Sequence, residues 1–241
     1  MGVKVVFATP TLKRPFEPNL KALRESVPVL DEAGIDHAVV YEIGNPYISA
    51  ARATMTRKAL DAKADIIVYI DHDLSWRPKD LLKLIQTEGE VVCGFYRFKN
   101  EGEEYMGTLD VEAPQWTPKV RGDGAIKATL APGGFLKVTV NAIARLMDRF
   151  PELCYGPKYH LSFDLFNHGA YQGAWWGEDF AFSRRWNEIG EIWLVPDLNL
   201  DHHGFINDKD GKPQPHIWRG NFHEFMLRQP GGVNDPARKA A

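Results

Sequence analysis

The stretch Ile66-Ile67-Val68-Tyr69-Ile70-Asp71-His72-Asp73 constrains this chain more than any other. Five apolar residues have the length of one strand. Their lack of alternation predicts a strand buried on both faces, as in a parallel sheet covered by helices. Two acids one residue apart then fall at its carboxyl end, the edge where open α/β sheets bind ligands. Carboxylates there can hold a divalent cation, and a cation so held can carry a diphosphate. Asp-x-Asp alone is a weak signal, since a helix-entry turn with two solvated acids has the same pattern. The apolar run in front of it is what raises it.

The flanking segments predict the rest of such a sheet. Val3–Ala8 reads as a first strand ending in a Thr9-Pro10-Thr11 turn. A helix over Asn19–Ala33 places Leu20, Leu23, Val27 and Leu30 on one face, with Pro28 kinking or dividing it and Gly34 closing it. His37–Tyr41 is a second strand, and Pro46–Lys63 a helix burying Ile48, Ala51, Met55 and Ala59. After the acids come a helix over Asp80–Ile85 and a strand over Glu90–Phe95. The order βαβαβαβ with short links predicts a parallel, doubly wound α/β sheet. From Arg97 to Gly124 charge, glycine and proline dominate, which predicts a mobile loop or hairpin able to act as a lid. Strands over Ala125–Leu130 and Phe135–Val140 flank a Pro132-Gly133-Gly134 turn, and Asn141 caps the following helix. A helix over Phe180–Ile189 ends at Gly190, a strand covers Ile192–Val195, and an extended Asp197–Asp201 leads to His202-His203-Gly204.

Composition narrows the function classes. The 241 residues fit one large domain or two small ones, and 44% hydrophobic with 25% charged residues is ordinary for a globular protein. A net charge of -3 gives no overall attraction to nucleic acid or anionic membrane. Cys93 lies in an apolar run and Cys154 in a loop-like stretch, which argues for a reducing compartment without a disulfide framework. The first residues read as a strand rather than a signal peptide, and no apolar run is long enough to span a membrane, so a cytoplasmic location is expected. Tyr155, Tyr159, Phe163, Phe166, Tyr171, Trp175 and Trp176 concentrate aromatic surface after residue 150. They suit either stacking on sugar rings or bases, or filling a small second core.

Several further residues have chemistry suited to a ligand at the Asp-x-Asp edge. His202 or His203 can supply a neutral imidazole to a metal such as Mn²⁺, and because neighbours in a strand face opposite ways only one of them is expected to do so. Glu178 and Asp179 open a helix, where acids favour the dipole; one of them placed near substrate is also a base. Trp175 and Trp176 precede them as a candidate acceptor wall. Arg52 suits either a diphosphate or a solvated helix face. Gly133 and Gly134 allow the backbone to approach a ligand or simply make a hairpin turn.

Taken in order, Thr9-Pro10, Ala51-Arg52, Asp71-His72-Asp73, Gly133-Gly134-Phe135, Gly177-Glu178-Asp179 and His202-His203-Gly204 resemble a nucleotide-sugar-dependent glycosyltransferase of the A-type fold, family-two-like, in the compact form found in large DNA viruses and bacteriophages. The resemblance covers residues 3–205. It implies one A-type domain over 1–228, with a nucleotide-binding half (1–97), an acceptor-binding half (98–228) and a flexible tail at 229–241. It implies that Asp71, Asp73 and His202 hold Mn²⁺ or Mg²⁺, with Asp73 the direct ligand. Thr9, Pro10, Glu42, Arg52, Asp71, His72, Gly133 and Gly134 would line the donor, a nucleoside-diphosphate sugar and foremost a UDP-sugar. Asp179 would deprotonate the acceptor hydroxyl, with Glu178 binding acceptor or donor and Trp175 and Trp176 contacting the acceptor. The implied reaction is hexosyl or pentosyl transfer to a glycan, a protein or a modified DNA base, in a host cytoplasm if the source is viral. His72 stands where the family commonly has a small or acidic residue. Two other readings of Asp-x-Asp compete: a phosphohydrolase of the haloacid dehalogenase type, which carries its pair on the first strand, and a binding module that keeps the nucleotide site without transfer.

Overall fold

The computed structural model describes residues 2–112, 117–157 and 161–229. Tyr159 and the tail after Gln229 lie outside them.

An eight-stranded sheet forms the centre. Its first half is β1 (Lys4–Thr11), β2 (Asp36–Ile43) and β3 (Ile66–Ile70), in the order β2-β1-β3 and all parallel. Strand Phe135–Thr139 follows β3 antiparallel, then β5 (Val91–Cys93), Ile192–Leu194, Ile126–Leu130 and Thr108–Leu109. Strands Phe135–Thr139 and Ile126–Leu130 run against the other six, so the sheet is mixed but mostly of one direction. Helices α1 (Glu17–Glu32) and α3 (Pro78–Gln86) bury Ala22, Leu30, Leu81 and Leu84 on one face together with Val68 and Ile70. Helices α2 (Ile48–Asp61), α4 (Val140–Arg149) and α5 (Glu178–Trp186) bury Met55, Ile143, Leu146, Phe182 and Trp186 on the other, with Ile67 and Tyr69. Alternate β3 residues therefore enter different cores, which is why the strand's sequence shows no polar alternation.

A second, three-stranded antiparallel sheet is made by β4 (Leu74–Trp76) and the long ribbon Asn199–Asn207/Pro213–Asn221. Three-residue β4 carries no period that a sequence pattern could reveal, and the ribbon begins where only a short extended segment was expected. The Arg97–Gly124 region holds a bridge between Arg97 and Tyr105, sheet strand Thr108–Leu109 and the short hairpin Val111–Glu112/Thr117–Pro118.

Local readings shift in four places. β1 continues to Thr11 instead of turning at Thr9; beyond Ala8 it pairs with β2 alone, so Pro10 withholds no ladder bond from β3. Pro28 does not divide α1, because it sits on the solvent side, where water can take the orphaned carbonyl. The buried face of α1 is Asn19, Ala22, Ser26 and Leu30, a position away from the leucine stripe, with Gly34 beyond its end at φ +69°. Thr139, not Asn141, caps α4: its hydroxyl accepts from the Ala142 N–H at 3.2 Å.

Candidate functional site

The acids at the end of β3 sit in a turn held from every side. The Asp71 N–H donates to Gly134 O (2.9 Å) and the Leu74 N–H to Asp71 O (3.2 Å). The Phe16 N–H donates to His72 O (2.9 Å) and the His203 N–H to Asp73 O (2.8 Å). The buried amide of Asn19 donates to both Asp71 O (3.0 Å) and Leu74 O (2.9 Å). All three turn carbonyls are thus satisfied by other elements, which fixes where the carboxylates point.

Antiparallel register brings the late histidine to this turn. β4 follows Asp73 directly, and pairing His202 with Leu74 and Asp201 with Ser75 sets His202 beside Asp73. His202 Nε2 lies 3.5 Å from Asp73 Oδ2. Its Nδ1 is 2.8 Å from Arg97 O. A carbonyl only accepts, so Nδ1 carries a proton and Nε2 is the ring nitrogen that faces Asp73. A backbone carbonyl that holds Nδ1–H and turns Nε2 toward a carboxylate is the usual arrangement around a metal-bound imidazole. The donor set therefore fits a divalent ion. His203 points the other way, its Nε2 2.7 Å from Ser75 Oγ. Burial raises the Asp73 carboxyl, but His202 and the ammonium of Lys99 outweigh it and hold the group well below the usual carboxylate range.

Asp71 is engaged elsewhere. Arg52, 1% exposed, donates to Asp71 Oδ1 (3.0 Å) and Gly133 O (3.0 Å) and lies 3.6 Å from Glu178 Oε1. The Tyr96 hydroxyl donates to Asp71 Oδ2 at 3.3 Å. Asp71, Asp73 and His202 do not close on one point, and among the described residues no group of three or more His, Cys, Asp and Glu is spaced to hold a metal. Asp73 and His202 form the pair; Asp71 belongs to the arginine network behind it.

That network also explains the glycines. A Cβ on Gly134 would lie 2.3 Å from the Tyr96 hydroxyl and 2.5 Å from Asp71 Oδ2; one on Gly133 would lie 2.8 Å from Arg52 Nη2 and 3.2 Å from Asp179 Cβ. The space these glycines leave is taken by the protein's own side chains. Asp179 accepts from the N–H groups of Phe180 (2.8 Å) and Gly133 (3.3 Å). Burial, with Glu178 beside it, pushes its carboxyl up to about 6 against the pull of Arg52.

A cleft of about 330 Å³ opens over this assembly, lined by Pro10, Thr11, Arg52, Asp71, His72, Asp73, Tyr96, Glu178 and His202 among others. It collects half of the site residues that the resemblance implies. Thr9 is buried and absent from the lining, where Thr11 takes its place; Glu42 is also absent and pairs with Lys58 at 2.9 Å. Asp179 sits behind the lining while Glu178 reaches it. Of the late aromatics, Phe166 fills core, but Tyr155, Tyr171 and Trp175 are exposed, Trp175 at 73%. Trp175 and Trp176 lie on the hairpin Gly169–Tyr171/Ala174–Trp176 that runs into Gly177, outside the cleft lining. Sequence reasoning missed Asn19, Tyr96 and Lys99. Asn19 and Lys99 look like solvated polar residues until the fold brings their partners to them.

No protein-family model matches the chain, and no curated protein matches it in sequence. Among solved structures it is similar to A197 from STIV, at 14% identity over 88% of this chain and 92% of that one, with a TM-score of 0.50. It also aligns with a mutant of the Drosophila β-1,4-galactosyltransferase 7 in complex with manganese, UDP-Gal and xylobiose (13% identity, 99% and 79% covered, TM-score 0.41). A glycosyltransferase involved in glycosylation of the major capsid of PBCV-1 aligns at 11% identity, with 62% and 68% covered and a TM-score of 0.33. The likeness to A197 is one of fold.

Proposed function

We propose that this protein is a metal-dependent glycosyltransferase that moves a sugar from a nucleoside-diphosphate sugar, foremost a UDP-sugar, to an acceptor hydroxyl. The observation that carries this reading is the Asp73–His202 pair, 3.5 Å apart at the carboxyl end of β3 in an open cleft. Hard cations that serve diphosphates are held by one or two protein ligands and complete their shell with phosphate and water. Asp73 Oδ2 and His202 Nε2 would hold such an ion. Bound there, it would supply Lewis-acid stabilisation of the charge gathering on the leaving diphosphate.

The other steps fall to the chain itself. The diphosphate would lie across the cleft beside Thr11 and His72, in the nucleotide-binding half (1–97). Arg52 holds the Asp71 and Glu178 carboxylates in place. Asp179, with a pKa near the operating range, would take the acceptor proton. Trp175, projecting from the half that runs from 98 to 228, offers an apolar face on which a sugar ring can stack. A second assignment of the base has its own support: Glu178 lines the cleft and Asp179 does not.

The test is incubation with a panel of sugar nucleotides and Mn²⁺, with phosphomonoesters in parallel. Slow Mn²⁺-dependent hydrolysis of at least one UDP-sugar is expected, with the monoesters untouched. Phosphate release from monoesters without sugar-nucleotide turnover would overturn the reading in favour of a phosphohydrolase.

A further inference from the structure

We infer that Lys99 is the resident cation of the Asp73–His202 pair, and that a divalent ion gains the site only by displacing its ammonium and loosening the hairpin that carries it. The inference rests on the metal site proposed above and concerns what competes for it.

The ammonium of Lys99 is bonded to Asp73 Oδ2, the same oxygen that His202 Nε2 faces. It thereby puts a positive charge on the oxygen that a divalent ion would use. A divalent ion on that oxygen would stand within a few ångströms of the ammonium in a part-buried cleft, where like charges repel strongly. The two cations therefore exclude each other.

The position of Lys99 is built into the fold. A Cβ on Gly204 would lie 3.2 Å from Lys99 Cδ and 3.4 Å from its Cε, so the lysine stem runs over a residue with no side chain to block it. Lys99 also belongs to a small structured hairpin. Arg97 bridges to Tyr105, the Phe98 N–H donates to Glu104 O (3.0 Å), and the Asn100 amide donates to Glu104 Oε2 (2.6 Å). The carbonyl of Arg97 is the acceptor for His202 Nδ1. Segment Arg97–Lys99 thus touches the pair at both ends, through the backbone of one residue and the side chain of the other. Withdrawing Lys99 leaves only the backbone contact, so cation entry and hairpin order are coupled.

The test is titration of the full chain with Mn²⁺ alone, by calorimetry or by the loss of free-ion paramagnetic resonance, in wild type, Lys99→Met and Asp73→Asn. Hydrogen exchange of the amides at 98–105 is followed in parallel. Lys99→Met is expected to bind Mn²⁺ roughly fivefold tighter, the scale of one partly exposed ion pair. Mn²⁺ should speed exchange at 98–105 in wild type, while in Lys99→Met those amides exchange fast from the start and do not respond. Equal or weaker Mn²⁺ binding by Lys99→Met overturns the inference, and if wild type still turns over a UDP-sugar with Mn²⁺ the proposed function stands. Absence of Mn²⁺ binding in both wild type and Lys99→Met overturns the inference and the metal site together.

Discussion

Asp179 is where burial and chemistry meet in one residue. Its carboxyl is pushed up to about 6, first by desolvation and then by Glu178. The folded-state value lies above the unfolded one of 3.8, so folding favours the protonated acid. That contribution is intact below pH 4 and is lost as pH rises through 6. Asp179→Asn should therefore raise the melting temperature at pH 8, by the equivalent of up to about 3 kcal/mol, and have no effect near pH 4. Thermal denaturation at the two pH values checks this, and an equal change at both would show that the carboxyl is not strained. Transfer activity should rise with pH through a midpoint near 6. Loss of that midpoint in Asp179→Asn identifies the base, whereas its survival there and loss in Glu178→Gln moves the role to Glu178. Arg52 shows what a sequence conceals at this scale. Beside an apolar helix stripe it reads as a surface charge or a phosphate ligand; the structure buries it because Asp71, Glu178 and Gly133 O converge on it from three elements.

At the scale of elements, what was legible followed apolar pattern, and what was not followed polar groups that the fold buries. β3 was plain because both its faces are core. The face of α1 was misplaced because two of its buried positions are Asn19 and Ser26. Asn19 ties down the Asp-x-Asp turn, and the Ser26 hydroxyl donates to Ala22 O (2.8 Å) and accepts from the Trp76 indole N–H (3.0 Å). Neither partner is visible from a hydrophobic stripe. The start of α4 is ambiguous in sequence for a related reason, since Thr139 and Asn141 are both good capping types and only backbone geometry chooses between them. Thr139→Ala should cost about 1 kcal/mol, read from the urea midpoint, while Asn141→Ala should cost less. The reverse order would place the cap at Asn141.

At the scale of the whole molecule, function depends on a register that no local pattern encodes. Asp73 lies in the turn that follows a strand of the large sheet and His202 lies in the small sheet, and β4 joins them by following Asp73 directly and pairing with the ribbon. The order of motifs along the chain made His202 a candidate, because that order belongs to a resemblance that spans the fold. It carried no sign that Asp71 turns away to Arg52 or that Lys99 reaches Asp73, since those contacts arise only when separate loops meet. No helix among the described residues is long and apolar enough to cross a membrane. The most direct measurement is titration calorimetry of UDP, with and without Mn²⁺, into wild type, Asp73→Asn and Asp179→Asn. Binding that requires Mn²⁺ in wild type, persists in Asp179→Asn and disappears in Asp73→Asn is the predicted result. Mn²⁺-linked UDP binding of unchanged affinity in Asp73→Asn would contradict the assignment of the site.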